Sequence, residues 1–472
     1  MKIVIVGGGK VGEVLCRELT SEANDIVLID KNPAIVERMM NKFDIMGIVG
    51  NGASYDIQQE AGVANADIFL AVSEMDEINI IAAILAKKIG AEYTVARVRN
   101  PEYSQQLNFV RESLGISLLI NPELSAARDI FKIFKYPSAL SVESFASNRV
   151  SLIELEIQDY SPLIGLSLKD FRNRFGTILV CAIQRDSEVF IPSGDSFIQR
   201  GDRIHITGAY EDISTFLKIT NYITKQVRSS LIVGGGKIAY YLLDMLKTTK
   251  IHPKVIEVNE ERAKFLSEQF PNATIIHADG TDHDVLEEEM LTNYDAFVSL
   301  TGIDEENLIL SVYAKHRSVR KVITKMSRTG ILKVLKNVDP QSIITPKQIV
   351  ANEIVQFVRA RANTKGSNVE ALYRVADNQV EALQFRIERN SRVCGIPLSK
   401  LKTKSSLLIA FIVRGEKLIY PDGNDQLEPH DRVIVVTTQK NFDDIIDIFK
   451  TDGQTDHIWC YASRFLLFFV KL

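Results

Sequence analysis

The sequence has few cysteines and no surplus of basic residues. Its 472 residues include four cysteines, Cys16, Cys181, Cys394 and Cys460, which are far apart and form no C-x-x-C pair. Neither a disulfide framework nor a thiolate zinc site is expected, and a reducing cytoplasm fits this cysteine usage best. Lysine plus arginine number 56 against 60 acidic residues. Because binding to a phosphate backbone needs a basic excess, we expect no nucleic-acid partner.

Long hydrophobic runs are also missing. The chain begins with an apolar run of only four residues, Ile3 to Val6, whereas a secretory signal needs about 7 to 15. The most apolar stretch, 458–470, is 13 residues long and contains Ser463 and Arg464, whereas a membrane span needs about 20 apolar residues. We expect neither a signal peptide nor a membrane span. Residues 453–472 are expected to dock on this or a neighbouring subunit, or to contact a membrane surface or channel; the remaining alternatives are disorder and a reading-frame artefact.

Residues and motifs that mark common enzymes are scarce. The chain has seven histidines, and none of them precedes His205. It contains no G-x-S-x-G, H-E-x-x-H or P-loop lysine motif, so the hydrolases and phosphotransferases that use those motifs are not indicated. No catalytic residue and no metal ligand is therefore predicted.

The chain contains an internal repeat. The segment Gly7 to Gly12 recurs 227 residues later as Gly234 to Ala239. A second kind of unit follows each first unit, and its Pro192 and Asp202 recur as Pro421 and Asp431. The organisation is therefore A-B-A-B, and each unit is long enough to form a domain.

Unit A alternates short β-branched runs with helical patterns, which predicts a doubly wound parallel sheet of the Rossmann type. In the first copy these runs are Ile3 to Val6, Ile26 to Ile29, Ile45 to Val49, Ile68 to Val72, Tyr93 to Val98 and Ser117 to Ile120. Unit B mixes alternating strands with turn residues, which predicts a small α+β domain. The expected A domains are 1–121 and 228–345, the B domains 140–222 and 369–452, the linkers 122–139 and 346–368, and the tail 453–472.

The linkers and several helix starts have local signatures. Asn32-Pro33, Asn100-Pro101 and Asn121-Pro122 each place a capping side chain before a proline, so helices should begin there. Glu123 to Lys135 carries apolar residues at helical spacing, so one of its faces must be buried. We expect this face, and that of its counterpart Lys347 to Arg359, to contact other units, including those of another subunit.

The loop Gly7-x-Gly9-x-x-Gly12 carries the main chemical signal. It follows an apolar strand and opens a helix, and Asp30 ends the next strand, which completes the dinucleotide-binding fingerprint. Gly7 permits the turn, Gly9 lets a pyrophosphate approach the main chain, and Gly12 lets the helix pack on the strand. Asp30 should bind ribose hydroxyls and repel a 2′-phosphate, which favours NAD(H) or an adenine nucleotide over NADP. The alternative is that the glycines only shape a turn.

The second copy keeps most of this signal, with Ala239 replacing the third glycine and Glu257 replacing Asp30. Lys10 and Lys237 either meet phosphates or are solvated, and Arg97 and Lys325 could reach phosphate or a neighbouring subunit. Ser73, Thr301, Asp76 and Asp304 either line the sites or cap the next helix. The candidate nucleotide-binding residues are Gly7, Gly8, Gly9, Lys10, Val11, Gly12, Asp30, Asn51, Gly52, Ala53, Ser73, Arg97, Gly234, Gly236, Lys237, Ile238, Glu257, Asp279 and Gly280.

These motifs resemble a known family. The A units, with G-G-G-K-V-G, Asp30 and the Asn51 to Ser54 loop, are similar to RCK-N domains, which regulate potassium conductance. The B units, with Gly165 to Leu168 and Ile191 to Gly194, are similar to RCK-C domains. Their tandem order resembles the TrkA family, the peripheral nucleotide-binding subunits of bacterial Trk potassium uptake systems. Ala239 and residues 453–472 depart from the family pattern.

The resemblance implies a non-enzymatic regulatory function. It implies a cytoplasmic protein, peripheral on the inner face of the cell membrane, that gates a Trk-type potassium-conducting membrane subunit. It also implies NAD(H), ATP or ADP as ligands, and a tetramer if eight RCK units form a ring. The alternatives are an NAD-dependent oxidoreductase, which the fingerprint favours and the missing acid-base residues oppose, and a nucleotide-binding scaffold without a channel partner.

Overall fold

The structure is a computed structural model and describes most of the chain. The described residues are 1–22, 24–104, 111, 113–145, 149–186, 188–222, 226–328, 342–362, 369–376, 379–389, 391–439, 442 and 444–449. The expectations for the tail 453–472 lie outside them. Of the helices within these ranges, none combines the length and apolarity needed to cross a bilayer.

The first A unit is a six-stranded parallel sheet flanked by helices. Its strand order is β3-β2-β1-β4-β5-β6, the doubly wound order in which ligands bind where the strand order reverses. The strands are β1 (Lys2–Val6), β2 (Asp25–Asp30), β3 (Met46–Val49), β4 (Ile68–Ala71), β5 (Tyr93–Arg97) and β6 (Leu118–Ile120). The helices are α1 (Lys10–Thr20), α2 (Pro33–Lys42), α3 (Tyr55–Glu60), α4 (Asp76–Ile89) and α5 (Pro101–Ser104). The predicted strands are thus confirmed to within about two residues.

A linking helix, α6 (Pro122–Lys135), leads into the first B unit. This unit is an antiparallel five-stranded sheet of order β10-β9-β11-β8-β7 with two helices. Its elements are β7 (Ser141–Phe145), β8 (Val150–Glu156), α7 (Leu168–Arg174), β9 (Leu179–Arg185), β10 (Glu188–Phe190), β11 (Arg203–Ala209) and α8 (Tyr210–Ile219). The α+β prediction is confirmed, although β7 and β10 were missed because both are short edge strands with mixed composition.

The second half repeats this architecture. Its A unit contains β12 (Ser229–Val233), α9 (Lys237–Leu246), β13 (His252–Glu257), α10 (Glu260–Gln269), β14 (Thr274–His277), α11 (His283–Glu288), β15 (Ala296–Ser299), α12 (Asp304–His316), β16 (Lys321–Lys325) and β17 (Ser342–Ile344). The linking helix α13 (Pro346–Ala362) follows, and the B unit contains β18 (Val369–Val375), β19 (Val380–Arg386), β20 (Leu407–Arg414), β21 (Lys417–Ile419) and β22 (Arg432–Thr437). Both sheets have the strand order of their counterparts.

Local chemistry explains the helix starts. The side chain of Asn32 accepts a hydrogen bond from the amide of Ala34, and Asn121 accepts one from Leu124. Pro33, Pro101 and Pro122 are the first helical residues, where a missing N–H costs nothing. The three predicted helix starts are confirmed.

The repeated aspartates of the B units are buried and form equivalent ion pairs with partly exposed arginines. Asp202 binds Arg185 through two hydrogen bonds of 2.8 Å, and Asp431 binds Arg414 at 2.9 and 2.8 Å. Each arginine also donates to a main-chain carbonyl in the loop that precedes its aspartate. Each pair therefore ties the end of one strand to the loop that leads into the neighbouring strand. The repeat of Asp202 as Asp431 is therefore structural.

The two linking helices cross between the halves of the chain. Helix α6 packs on α9 of the second A unit, α13 packs on α1 of the first, and the two linking helices also contact each other. Arg359 of α13 donates to Glu22 of the first half at 2.7 Å and to Glu381 of the second at 3.2 Å. The apolar faces expected to contact other units are thus covered within one chain, so another subunit is not needed to bury them.

The two B units also pack against each other. A shared core contains Phe145, Leu152 and Cys181 from the first unit and Ala382 and Phe411 from the second. The ring of Phe145 lies 4.1 Å from that of Tyr373. Together with the crossed helices, this packing makes the contacts between the halves reciprocal, since each linking helix packs on the first helix of the other half.

Candidate nucleotide-binding site

The first glycine-rich loop has the geometry that its sequence predicts. Gly7 has a φ of +102°, and a Cβ there would lie 2.9 Å from the main chain of Ser73. A Cβ at Gly12 would lie 1.9 Å from the carbonyl oxygen of Gly7, so α1 could not pack as it does. Gly9 is the N-cap of α1 and faces open space, because a Cβ there would meet no atom within 4 Å. A phosphate could therefore approach the loop at Gly9, above unpaired helix N–H groups.

Asp30 lies at the carboxyl end of β2, beside this loop. Its carboxylate accepts hydrogen bonds from the amide of Gly8 at 2.7 Å and from the amide of Asn32 at 2.9 Å. Glu257 holds the second loop in the same way, accepting from Gly235 at 2.5 Å and from Asn259 at 2.8 Å. Each carboxylate is therefore fixed by the main chain, with lone pairs left over for ribose hydroxyls.

The surroundings of the second loop differ from those of the first in two contacts. Gly234 has a φ of +101° and Gly236 again faces open space, but the side chain of Ala239 is fully buried where the first loop has Gly12. Arg262 of α10 donates to the carbonyl of Gly235 at 2.8 Å. The equivalent residue in the first half is Ile35, whose side chain lies against Gly8. Sequence reasoning missed Arg262 because no known motif includes it.

The loops after β3 and β14 close the edge of each site. A Cβ at Gly52 would lie 2.1 Å from the side chain of Val6, and one at Gly280 would lie 2.5 Å from Val233. The side chain of Asn51 accepts from the amide of Ala53 at 3.1 Å, and Asp279 accepts from Thr281 at 2.9 Å. These contacts hold each loop close to its glycine-rich neighbour, at the carboxyl edge of the sheet.

A repeated hydrogen-bond network joins the ends of the fourth and fifth strands. Asn79 bonds both the amide and the carbonyl of Ser73, at 2.8 and 3.0 Å, and Arg97 donates to the same carbonyl at 2.8 Å. Asn307, Thr301 and Lys325 repeat these bonds in the second half.

Asp76 and Asp304 belong to the same network. Asp76 accepts from the amides of Arg99 and Asn100 at 2.8 Å, and Asp304 accepts from Ser327 and Arg328 at 2.8 Å. The capping alternative is wrong for these side chains, because α4 and α12 have Met75 and Ile303 as N-caps and no side-chain cap.

A cavity of about 450 Å³ lies between the two glycine-rich loops. Val11, Ile238 and Gly236 form part of its wall, so both helix N-termini reach it. Its described lining contains one carboxylate, that of Glu123, and six cationic side chains: Lys10, Arg97, Arg99, Lys237, Lys325 and Lys347. The tertiary structure thus brings together lysines and arginines that are more than 200 residues apart in the sequence.

Three of the cations in this cavity, Arg97, Lys325 and Lys347, are partly or fully buried and are repelled by neighbouring positive charges. Burial lowers the pKa of Arg97, and the neighbouring Arg99 lowers it further. Burial also lowers the pKa values of Lys325 and Lys347, and in both cases the charge of Lys10 adds to the effect. Because the charged forms lose hydration without gaining enough carboxylate partners, the cavity favours an anion.

Solved structures with the same fold define the class of protein. The RCK domain of GsuK aligns with a TM-score of 0.61 at 14% identity and covers 92% of each chain. The GsuK channel bound to NAD aligns with a TM-score of 0.62 at 13% identity, covering 92% of this chain and 76% of that chain. The fold is therefore that of a tandem pair of RCK units.

Sequence comparison identifies the family. The TrkA-N domain model matches residues 3–122 and 230–346, and the TrkA-C domain model matches 152–221 and 382–450. Trk system potassium uptake protein TrkA homolog 1 of Methanosarcina mazei is 30% identical, covering 95% of this chain and 100% of its own. TrkA of Vibrio alginolyticus is 31% identical, covering 94% and 97%. The chain belongs to the TrkA family, which confirms the resemblance seen in its motifs.

Proposed function

We propose that this chain is the nucleotide-binding regulatory subunit of a Trk-type potassium uptake system. It controls conduction through a separate membrane subunit. Membership of the TrkA family supports the potassium system, and the cationic cavity between the two glycine-rich loops supports nucleotide regulation. In this proposal the A domains are 1–121 and 228–345, and the B domains are 140–222 and 369–452.

The cavity is the observation that carries the proposal. A nucleotide on the first loop would place its phosphates at Gly9, beside Lys10, and one on the second loop would place them at Gly236, beside Lys237. Asp30 and Glu257 would bind the ribose hydroxyls. Phosphates would then add negative charge to a cavity whose described lining has six cations and one carboxylate. The ligand class is NAD(H), ADP or ATP, and the NAD-bound GsuK channel is a precedent on this fold.

Nucleotide binding at this place can change the shape of the molecule. A ligand shifts an equilibrium between two conformations only by the difference in its affinity for them. The cavity wall comes from both halves of the chain, so a change in the relation between the halves changes the contacts to phosphate. A coupling of about 1 to 3 kcal/mol would change an open-to-closed ratio by about 5- to 150-fold.

The partner is a potassium-conducting membrane subunit of the Trk type, and the chain lies at the inner face of the cell membrane. Four chains would supply eight RCK units for a ring beneath that subunit. The RCK units of the GsuK channel support this arrangement through their shared fold.

An NAD-dependent oxidoreductase is the alternative. The fingerprint loops favour it, but the described lining of the cavity contains no histidine, tyrosine or cysteine, and Glu123 is its one carboxylic acid. Burial raises the pKa of Glu123. Incubation with NAD and a panel of alcohols and hydroxy acids, followed by nicotinamide absorbance, distinguishes the two: turnover would favour the enzyme.

Potassium flux tests the proposed function. The membrane subunit is captured from a membrane extract with the full chain, placed in vesicles and assayed with NAD, NADH, ADP and ATP. We expect at least one nucleotide to change the flux, and Gly9→Val to abolish or weaken that response. Gly176→Val is the matched control, because Gly176 is exposed and remote from the site. A potassium flux that changes neither when the protein is added nor when any of the nucleotides is added would reject the regulatory function.

A further inference from the structure

A second cavity, of about 650 Å³, lies where the linking helices meet the B units. Helix α6, helix α13, β7 and β18 each contribute side chains to its wall. Both halves of the chain line the cavity, and no residue of the glycine-rich loops is part of its described lining. We call the contacts around it the helix joint.

Three carboxylates from three different elements line the helix joint. They are Asp129 of α6, Glu353 of α13 and Glu143 of β7. Counted from the proline that begins each linking helix, Asp129 and Glu353 occupy equivalent positions, and both line the same cavity, so like charges from the two halves meet there. Ser125 donates to Glu353 at 2.6 Å, and Lys132 donates to Asp129 at 3.0 Å. Glu143 has no hydrogen-bond or ion-pair partner among the described residues.

The other ionisable groups around the joint do not neutralise Glu143. Helix α6 also contributes three cations: Arg128, Lys132 and Lys135. Of these, Arg128 is exposed, Lys132 is paired with Asp129, and Lys135 lies 4.7 Å from the ring of Phe131. The remaining groups are neutral phenols, those of Tyr136, Tyr210 and Tyr373. Tyr373 occupies the position on β18 that Glu143 occupies on β7. The second half therefore supplies no negative charge to match that of Glu143.

The state of Glu143 is therefore sensitive to pH near neutrality. Burial raises the pKa of Glu143 to about 7, and the negative charges of Asp129 and Glu353 add to the effect, while Lys132 opposes it. Burial also raises the pKa values of Asp129 and Glu353. Below pH 7 the joint holds a neutral Glu143, whereas above pH 7 it holds three carboxylates, of which only Asp129 is paired with a lysine.

We propose that the Asp129, Glu143 and Glu353 cluster is a pH-sensitive switch that loosens the helix joint as the pH rises from the acidic range towards neutrality. Between the usual carboxyl range and neutrality, Glu143 holds a proton in the native joint, whereas the same carboxyl has already lost its proton in the unfolded or opened chain. Opening is therefore favoured as the pH rises from the usual carboxyl range to about 7, and the effect levels off above it.

The switch acts on a helix that also reaches the nucleotide cavity. Glu123 lies in the first turn of α6 and lines that cavity, and Asp129 lies six residues further along the same helix. Six residues of helix span about 9 Å. A loosened joint would therefore free the end of a helix whose start forms a wall of the nucleotide cavity. The switch itself does not depend on the proposed nucleotide regulation.

Amide hydrogen exchange of the full, nucleotide-free chain tests the switch. Protection of 122–135 and 141–145 is measured from pH 5.5 to 8.5 and corrected for intrinsic chemical exchange. For the wild type we expect protection to fall by up to about tenfold per pH unit below pH 7, as release of one proton requires, and to level off above it. Glu143→Gln mimics the protonated acid and should retain protection at every pH.

Two further variants distinguish the cluster from a general effect of charge. Glu188→Gln, an exposed residue on β10, should behave as the wild type. Glu353→Gln removes one repelling charge and should move the midpoint of the response to lower pH. Circular dichroism checks that each variant is folded. A wild type without a pH response, or a Glu143→Gln variant with the wild-type response, would overturn the proposal whether or not nucleotides bind.

Discussion

The side-chain amide of Asn121 in the first half donates a hydrogen bond of 2.8 Å to the hydroxyl of Tyr241 in the second half. That hydroxyl in turn donates to the carbonyl of Arg99 at 3.0 Å. Asn121 also caps α6, and Arg99 lines the nucleotide cavity. One phenol therefore joins the first helix of the second A unit to the start of the linking helix and to the cavity wall. The equivalent residue of the first half is Val14, so this connection is made on one side only.

Tyr241→Phe should weaken this connection without changing the fold. Asn121 and the Arg99 carbonyl would each lose a partner, and unpaired buried polar groups cost about 1 to 3 kcal/mol. We expect a lower free energy of unfolding in urea by about that amount. Tyr240→Phe, a neighbour that is only half buried, is the control. Equal stabilities of Tyr241→Phe and the wild type would contradict a structural role for the hydroxyl.

The two glycines at the helix N-caps allow each nucleotide site to be removed separately. Gly9 and Gly236 both have negative φ values and open space around them, so valine should fit the fold at either position. Its side chain would occupy the place proposed for phosphate. We expect Gly9→Val to abolish nucleotide binding at the first site and Gly236→Val to abolish it at the second. Calorimetry gives the number of sites that each variant retains.

The other glycines of the fingerprint should respond differently. Gly7 has a positive φ, and Gly12 lies against the carbonyl of Gly7, so valine at either position should lower the melting temperature as well as remove binding. Wild-type nucleotide affinity in both Gly9→Val and Gly236→Val would show that ligands bind elsewhere.

Removal of the Asp30 carboxylate should weaken NAD(H) binding at the first site. A hydrogen bond to a charged group contributes about 1.5 to 3 kcal/mol, so we expect the dissociation constant to rise by at least about tenfold in Asp30→Ala. The amides of Gly8 and Asn32 also lose their acceptor, so a lower melting temperature should accompany the change. Asp25→Ala removes an exposed charge from the same strand and serves as the control. An unchanged dissociation constant would refute the role given to Asp30.

Lys321 should make the free energy of unfolding depend on pH in the alkaline range. Its side chain is 2% exposed and donates to the carbonyl of Ala139 at 2.5 Å. Burial lowers its pKa from 10.5 to about 7. The unfolded chain therefore binds more protons between these values, and stability rises as the pH rises from about 7 towards 10.5.

Lys321→Met tests this expectation. The substitution removes a buried cation and should increase the free energy of unfolding at pH 7, because burial destabilises the charged form of the lysine. It should also flatten the rise in stability above pH 7. Urea unfolding at several pH values measures both effects. If the variant keeps the wild-type slope of unfolding free energy against pH, the titrating group is not Lys321.

The sequence predicted the features that depend on short stretches of chain. The strands of the first A unit, the Asn-Pro helix starts and the Gly7 loop follow from residues that act within a few positions of one another. The repeat predicted the second loop, and Glu257 holds that loop as Asp30 holds the first. The sequence did not predict the role of Arg262. Its hydrogen bonds to loop carbonyls are contacts between separate elements, and no sequence motif describes them.

What the sequence by itself determined is the A-B-A-B order, the fold of each unit and the glycine-rich loops, since hydrophobic periodicity and turn chemistry are local properties. Only the tertiary structure decided how the halves combine. The crossing of α6 and α13, the meeting of Lys10 with Lys237 and the grouping of Asp129 with Glu353 join residues more than 200 positions apart. Such groupings depend on which apolar faces bury each other, and no local pattern specifies that choice.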